Sequence, residues 1–355
     1  MHRRISGKTW LSIITFVLVA AIIYLARLEL MHAWQLLSQV NLWVLALIIP
    51  LQALSYYAAG AMIFSYLRDK YELKISGIET AKMALELNFV NHILPSGGVS
   101  GASYMTWRLR HLGVSAGRAT LAQAVRLAMT FIAFLALMIV AVFAITIDGS
   151  INRITILVSS GLASSIIFGT VIVVYIIQSR SRLHKAANGI TAITNRIWRS
   201  VLRRPQPLVD HAKVLQFFED LHSDYCELID SPRVLIKPFW WGVVFTITEV
   251  AMFWVTFLAL GTPINPAPLL IAYGLAGLAG VFFFTPGGVG GYEALMVSFL
   301  ALSIEGPKAA IIAAILLART LLILGTILSG YYFYQNALNK YGKQGSDGSD
   351  DTPSQ

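Results

Sequence analysis

Long apolar runs alternate with short polar breaks along this chain. The runs cover residues 10–27, 42–66, 119–147, 154–178, 238–260 and 308–334. A helix needs about 20 predominantly apolar residues to cross the hydrocarbon of a bilayer. Each run therefore predicts a spanning helix, six in all, with Pro50 tolerated as a kink in the second. Two further apolar pairs, 81–118 and 267–305, are too short to cross twice. In the first, MALELNFVNHIL stops at Pro95 and the glycine-rich PSGGVSG follows at 95–101. In the second, APLLIAYGLAGLAGVFFFT leads into PGGVGG at 286–291, and YEALMVSFLALS follows. Each reads as a helical hairpin with a glycine turn at its tip.

Polar stretches complete the pattern. Residues 67–82 form a linker of mixed charge, and 179–237 is the long hydrophilic segment. Within it, Val214, Leu215, Phe218 and Leu221 recur at helical spacing, predicting an amphipathic helix that lies against the membrane or the bundle. Past 335 the chain is poor in apolar residues, as in GKQGSDGSDDTPSQ, and such composition does not order. The expected organisation is one membrane domain over 1–335 and a disordered tail over 336–355. The fold class is all-α: a polytopic helical membrane protein of about six spans plus two re-entrant hairpins.

Composition supports this. Of 355 residues, 56% are hydrophobic and 13% charged, against about 25% charged in an ordinary globular domain. Little surface is left to face water, and there is no room for a sizeable soluble enzyme. The net charge of +9 does not point to nucleic acid, because the basic residues flank apolar runs. The single cysteine, Cys226, excludes an intramolecular disulfide and a cysteine-rich metal site, and reads as a small helix-packing residue. The N-terminus resembles a signal peptide, but its apolar run is long and no A-x-A site follows. It reads as an uncleaved span whose start is held in the cytoplasm by Arg3, Arg4 and Lys8.

Charge orients the rest. The N-terminus, the 67–82 linker, the 108–118 arginines and the 179–237 segment are charge-rich, while 148–153 and 261–266 are nearly uncharged. One topology satisfies this: both termini in the cytoplasm of a cell-membrane protein, six spans, and two hairpins that return to the side they came from. The hairpins then open from opposite sides. Each is preceded by one span and followed by another bearing an arginine, Arg126 or Arg319, and each carries Pro-x-Gly-Gly or Pro-Gly-Gly before a valine. That is an inverted repeat, and secondary transporters place binding sites at such interfaces.

The chemistry-bearing positions follow. The turns at Pro95, Gly97, Gly98 and Gly101, and at Pro286, Gly287, Gly288, Gly290 and Gly291, allow close backbone approach. A half-helix starting there aims N–H groups at an anion. The alternative is that the glycines only let two legs turn and pack. No Lys-Ser/Thr follows them and no strand precedes them, so neither a Walker A loop nor a dinucleotide fingerprint is present. Arg126 and Arg319 sit inside apolar runs, at a cost of ~2.5–3.5 kcal/mol each on insertion scales unless partnered. Glu249 and Glu293 are the available counter-charges. Glu86, Asn88 and Asn91 form a polar set in the first hairpin, for head-group contact or for capping and interhelical hydrogen bonds. His92 reads as a packing residue. Trp240, Trp241, Tyr331, Tyr332 and Tyr334 lie at span ends and fit an aromatic belt. HExxH, GxSxG and metal-ligand clusters are absent from the sequence, and no cofactor is expected.

NHILPSGGVSG paired with TPGGVGGYEALM, each followed by an arginine-bearing span, resembles the flippase-like family. That family matches the transmembrane region of lysylphosphatidylglycerol synthase, the multiple peptide resistance factor. The resemblance covers about 10–335 and implies movement of aminoacylated phosphatidylglycerol between leaflets. It carries over to Pro95, Gly97, Gly98, Gly101, Arg126, Pro286, Gly287, Gly288, Gly290, Gly291, Glu293 and Arg319. The first loop lacks the acidic residue that the second places at Glu293. The expected function is transport of an anionic or aminoacylated phospholipid or a lipid-linked intermediate. Lipids are the expected partners, with a separately encoded synthase or glycosyltransferase as a further one, and no nucleic acid. The alternative is a phosphatidylglycerol lysyltransferase, or the membrane subunit of an aminoacyl-lipid synthase. The soluble aminoacyl-transferase domain of the full factor has no counterpart in this sequence, which argues against enzymatic activity.

Overall fold

The computed structural model describes residues 40–94, 99–147, 152–202, 211–280, 289–304 and 306–341. The first predicted span, 10–27, lies outside them. The described residues form helices α1 Leu42–Leu45, α2 Ile48–Tyr71, α3 Gly77–Ile93, α4 Val99–Arg110, α5 Ala116–Ile147 and α6 Arg153–Ile177. They continue with α7 Arg180–Leu202, α8 His211–Ile229, a 3-10 turn at Pro232–Leu235, α9 Ile236–Ala259, α10 Pro266–Gly280, α11 Gly291–Ser303 and α12 Lys308–Tyr341. Among the described residues, five stretches are long and apolar enough to cross a membrane: 42–71, 116–147, 153–177, 232–259 and 308–341. The protein is a polytopic helical membrane protein.

Local sequence explains the breaks. Pro50 does not kink the middle of a span; it stands in the first turn of α2, and the break falls at 46–47. A proline ring clashes with the carbonyl four residues back, here Ala46, so α1 cannot continue through it. Ser76 caps α3 by accepting from the Glu79 N–H at 3.2 Å. The linker is therefore 72–76, shorter than 67–82. Asn152 caps α6, accepting from the Thr155 N–H at 2.8 Å.

The α9 helix is central, packed on α2, α5, α10 and α12. The α3–α4 and α10–α11 pairs are the two predicted hairpins. At 1.5 Å rise per residue, none of these four helices exceeds about 26 Å, short of a ~30 Å hydrocarbon core. The outer faces of α5 and α6 are apolar and exposed, with Phe143 at 68%, Ile147 at 74%, Leu157 at 71% and Phe168 at 69%, the surface a lipid-facing helix requires.

Charged contacts gather at one end of the bundle. Lys237 pairs with Asp69 at 2.9 Å, and Lys70 donates to the Glu227 carbonyl at 3.0 Å. The described parts of the hydrophilic segment, 179–202 and 211–237, lie here: α8 is the amphipathic helix predicted there, and α7 is a further helix in the basic stretch before it. Leu183 and Ala187 of α7 are buried. Cys226 is exposed on α8, so it does not pack between helices. At the opposite end, uncharged contacts close the bundle: the Asn41 N–H donates to the Ala259 carbonyl at 2.9 Å, and the Trp254 indole to the Ile264 carbonyl at 2.9 Å.

Two sequence expectations need correction. The α12 helix runs to Tyr341, six residues past the 335 boundary, because Ala337 and Leu338 are buried against the bundle; residues 342–355 lie outside the described residues. Tyr334 is no belt residue. It is 5% exposed and packs on Phe89 and Tyr104.

Small residues set the closest approaches, as membrane helices demand. A Cβ on Gly60 of α2 would lie 2.9 Å from the Ala84 Cβ and 3.0 Å from the Thr80 carbonyl oxygen of α3. On the other flank, a Cβ on Gly330 of α12 would lie 2.4 Å from the Phe89 Cβ and 3.0 Å from the Leu85 carbonyl oxygen. Helix backbone cannot swing away as a side chain can. Gly330→Ala is expected to cost ~1–3 kcal/mol by overpacking, read as a lower melting temperature in detergent. An unchanged melting temperature would show that α3 and α12 can part freely.

Candidate functional site

Arg319 stands eleven residues into α12 and is 9% exposed. Its Nε donates to Glu293 Oε1 at 2.8 Å. Glu293 is the third residue of α11, and its other oxygen, Oε2, accepts from the Gly290 N–H at 2.7 Å. The carboxylate thus closes the helix N-terminus and holds the arginine. Gly290 has φ +92°, a conformation that a side-chain-bearing residue adopts only under strain. The guanidinium also lies 4.2 Å from the centre of the Tyr292 ring, and Tyr292 stacks on Phe253 of α9.

Other elements converge on this pair. Glu249 of α9, Tyr273 of α10 and His92 of α3 lie close enough to Arg319 to interact with its charge. Glu249 accepts a hydrogen bond from the fully buried Ser55 hydroxyl of α2. Next to it, Gln52 donates to the Leu322 carbonyl at 2.8 Å, and the Tyr56 and Thr326 hydroxyls share a hydrogen bond. Residues from both hairpins and from the central helices therefore surround one arginine inside the bundle. Chemically, the arrangement offers a guanidinium and a helix N-terminus for an anion, and two carboxylates for a cation.

The structure sorts the predicted residues. Arg319, Glu293 and Glu249 come together. Asn91 acts on the first hairpin itself: its Oδ1 accepts from the Gly101 N–H at 3.1 Å, and a Cβ at 101 would lie 2.1 Å from that oxygen. Asn88 turns back on its own helix and donates to the Ala84 carbonyl at 2.9 Å. Asn91 thus links the two helices of the first hairpin, whereas the Asn88 bond stays within one helix. Arg126, ten residues into α5, makes no ion pair among the described residues, and its buried Nε finds no hydrogen-bond partner there. Gly291 opens α11. Pro95, Gly97, Gly98, Pro286, Gly287 and Gly288 lie outside the described residues.

A second ionic cluster escaped the sequence reading. Arg108 of α4 is 2% exposed; its Nε donates to Glu86 Oε2 at 2.7 Å, and its Nη2 to Glu79 Oε1 at 3.0 Å. The Tyr104 hydroxyl donates to the same Glu86 oxygen at 2.9 Å. Arg108 reads in sequence as one more flanking cation beside Arg110 and Arg118. The signal was the i, i+4 spacing of Tyr104 and Arg108, which puts both on the face of α4 that meets Glu86.

No curated protein matches the chain. Residues 10–330, from the first predicted span almost to the end of α12, match the family described as the lysylphosphatidylglycerol synthase TM region, and the chain belongs to that family of membrane proteins.

Proposed function

We propose that this protein moves a phospholipid, anionic or aminoacylated, between the leaflets of the cell membrane. The observation that carries the reading is the buried Glu293–Arg319 pair. It sits at a glycine-started helix N-terminus inside an apolar bundle, with Glu249 and His92 within electrostatic reach. A buried charge pair is costly to assemble in lipid surroundings, and a ligand that substitutes for one partner can open it. A lipid phosphate would take the Arg319 guanidinium and the α11 N–H groups. An aminoacyl ammonium would take Glu293 or Glu249. The acyl chains would stay in lipid against the exposed apolar faces.

The two hairpins are read as re-entrant and related by an inverted repeat, because each is too short to span twice and each carries a Gly-Gly pair in the sequence between its two helices. The charged end of the bundle is read as cytoplasmic by the positive-inside rule. A separately encoded synthase that supplies the modified lipid is the expected partner.

The test is a vesicle assay with the purified full chain and fluorescent phosphatidylglycerol, read by dithionite quenching of the outer leaflet. The wild type is expected to expose inner-leaflet lipid. Arg319→Gln is expected to slow this by at least about tenfold, the equivalent of ~1.4 kcal/mol. Equal rates in variant and wild type would remove the pair from the transport path. No movement in the wild type, with this lipid and with its lysyl ester, would remove the reading itself.

A further inference from the structure

The Arg108 cluster opens on a cavity of about 360 Å³ at the charged end, between α3, α4 and the last turns of α12. It is separate from the Arg319 pair and unused by the function proposed above. Its wall carries Lys82, Arg108 and Lys340 against Glu79 and Glu86, three cations to two anions. Glu86 and Glu79 occupy Nε and Nη2 of Arg108. The Nη1 nitrogen is buried and has no hydrogen-bond partner among the described residues. The cavity therefore meets Arg108 as charge, not as a hydrogen-bond donor.

The depth of the cavity selects the ligand. Lys340 is the penultimate residue of the last span, and the Tyr341 ring centre lies 4.4 Å from the Arg108 Cζ. Tyr332, also on the wall, is 63% exposed. Tyrosines and lysines at the end of a span mark the interfacial layer, where lipid phosphates lie. A volume near 360 Å³ is at the small end of ligand sites, which run from about 300 Å³, enough for a phosphate and its glycerol but not for acyl chains.

We infer that this cavity docks the phosphate of an anionic phospholipid from the leaflet at the charged end. Lys82 and Lys340 neutralise the phosphate at the rim, and Arg108 behind them offsets the charge of Glu79 and Glu86. The choice of a lipid as ligand rests on the transport reading; the binding itself does not require movement.

The test measures melting temperature of the detergent-purified full chain against added phosphatidylglycerol, phosphatidylcholine or inorganic phosphate. Phosphatidylglycerol is expected to raise it saturably, and the other two are not. The double variant Lys82→Gln, Lys340→Gln changes two rim residues and leaves the buried network intact. Its half-saturating phosphatidylglycerol concentration is expected to rise about thirtyfold, since two cations near an anionic head group at ~1 kcal/mol each contribute ~2 kcal/mol. A rise of less than twofold overturns the site. Equal stabilisation by inorganic phosphate at matched concentration overturns the lipid as its source. A chain that binds here but moves no lipid would sink the transport reading and leave this one standing. Lipid movement with an unchanged half-saturation point would do the reverse.

Discussion

Glu293→Ala is expected to destabilise the protein by ~3–5 kcal/mol, because it strands Arg319 inside the bundle without its partner. Two losses combine there. The guanidinium loses a 2.8 Å charge-assisted bond, and the Gly290 N–H loses its 2.7 Å acceptor. The double variant Glu293→Ala, Arg319→Met removes both charges of the pair and leaves Glu249 held by the Ser55 hydroxyl. It is expected to recover most of the loss, leaving chiefly the uncapped Gly290 N–H, worth ~1 kcal/mol. Chemical or thermal unfolding in detergent gives the comparison. If the double variant is as unstable as the single, the deficit does not come from an uncompensated charge. Stability and transport then separate cleanly: the double variant folds and is expected to move no lipid.

Glu86→Ala is expected to cost a similar ~3–5 kcal/mol by leaving Arg108 buried and underpaired. Glu79 remains at 3.0 Å, but it is 30% exposed and holds only one nitrogen. Glu86 receives both Arg108 Nε and the Tyr104 hydroxyl, so its loss frees two donors at once. Glu86→Gln keeps an acceptor for each and should lose about half as much; the ordering Ala below Gln below wild type in melting temperature is the check. Glu79→Ala, at the exposed side of the same guanidinium, is expected to fall within ~1 kcal/mol of wild type.

The spans were legible because length and hydropathy alone specify them. Glu293 with Arg319 was legible because charges deep in apolar runs must find each other or a cavity. Arg108 was not. It lies among arginines at a helix end, and only the folded hairpin shows that it turns inward to Glu86 rather than outward to solvent. Arg126 gave the opposite result: its position inside a span drew attention, but the described residues supply no counter-charge. The α7 helix was missed because its Lys and Arg residues interrupt the apolar run and mask the helical spacing of Leu183, Ala187 and Ile190, of which the first two are buried. The extension of α12 to Tyr341 was missed for a related reason, since Asn336, Asn339 and Lys340 mask two buried apolar positions between them.

The paired glycines have a mechanical consequence. Gly60 and Gly330 grip α3 from opposite flanks, each within contact of its backbone. A helix held so cannot roll about its axis without driving Leu85, Phe89 or Ala84 into a neighbouring backbone. The α2, α3 and α12 helices therefore behave as one chassis, and Arg319 is bolted to it. Glu293 belongs to a different element, the short α11, which meets α12 through the ion pair and through a shared apolar core that includes Met296, Leu300, Ile311 and Ile315. The charge contact is the polar part of an otherwise apolar join, so breaking it loosens α11 at its N-terminus and leaves the rest of the helix packed. Under the transport proposed above, a lipid that competes for Arg319 would free the N-terminal end of α11 as it binds.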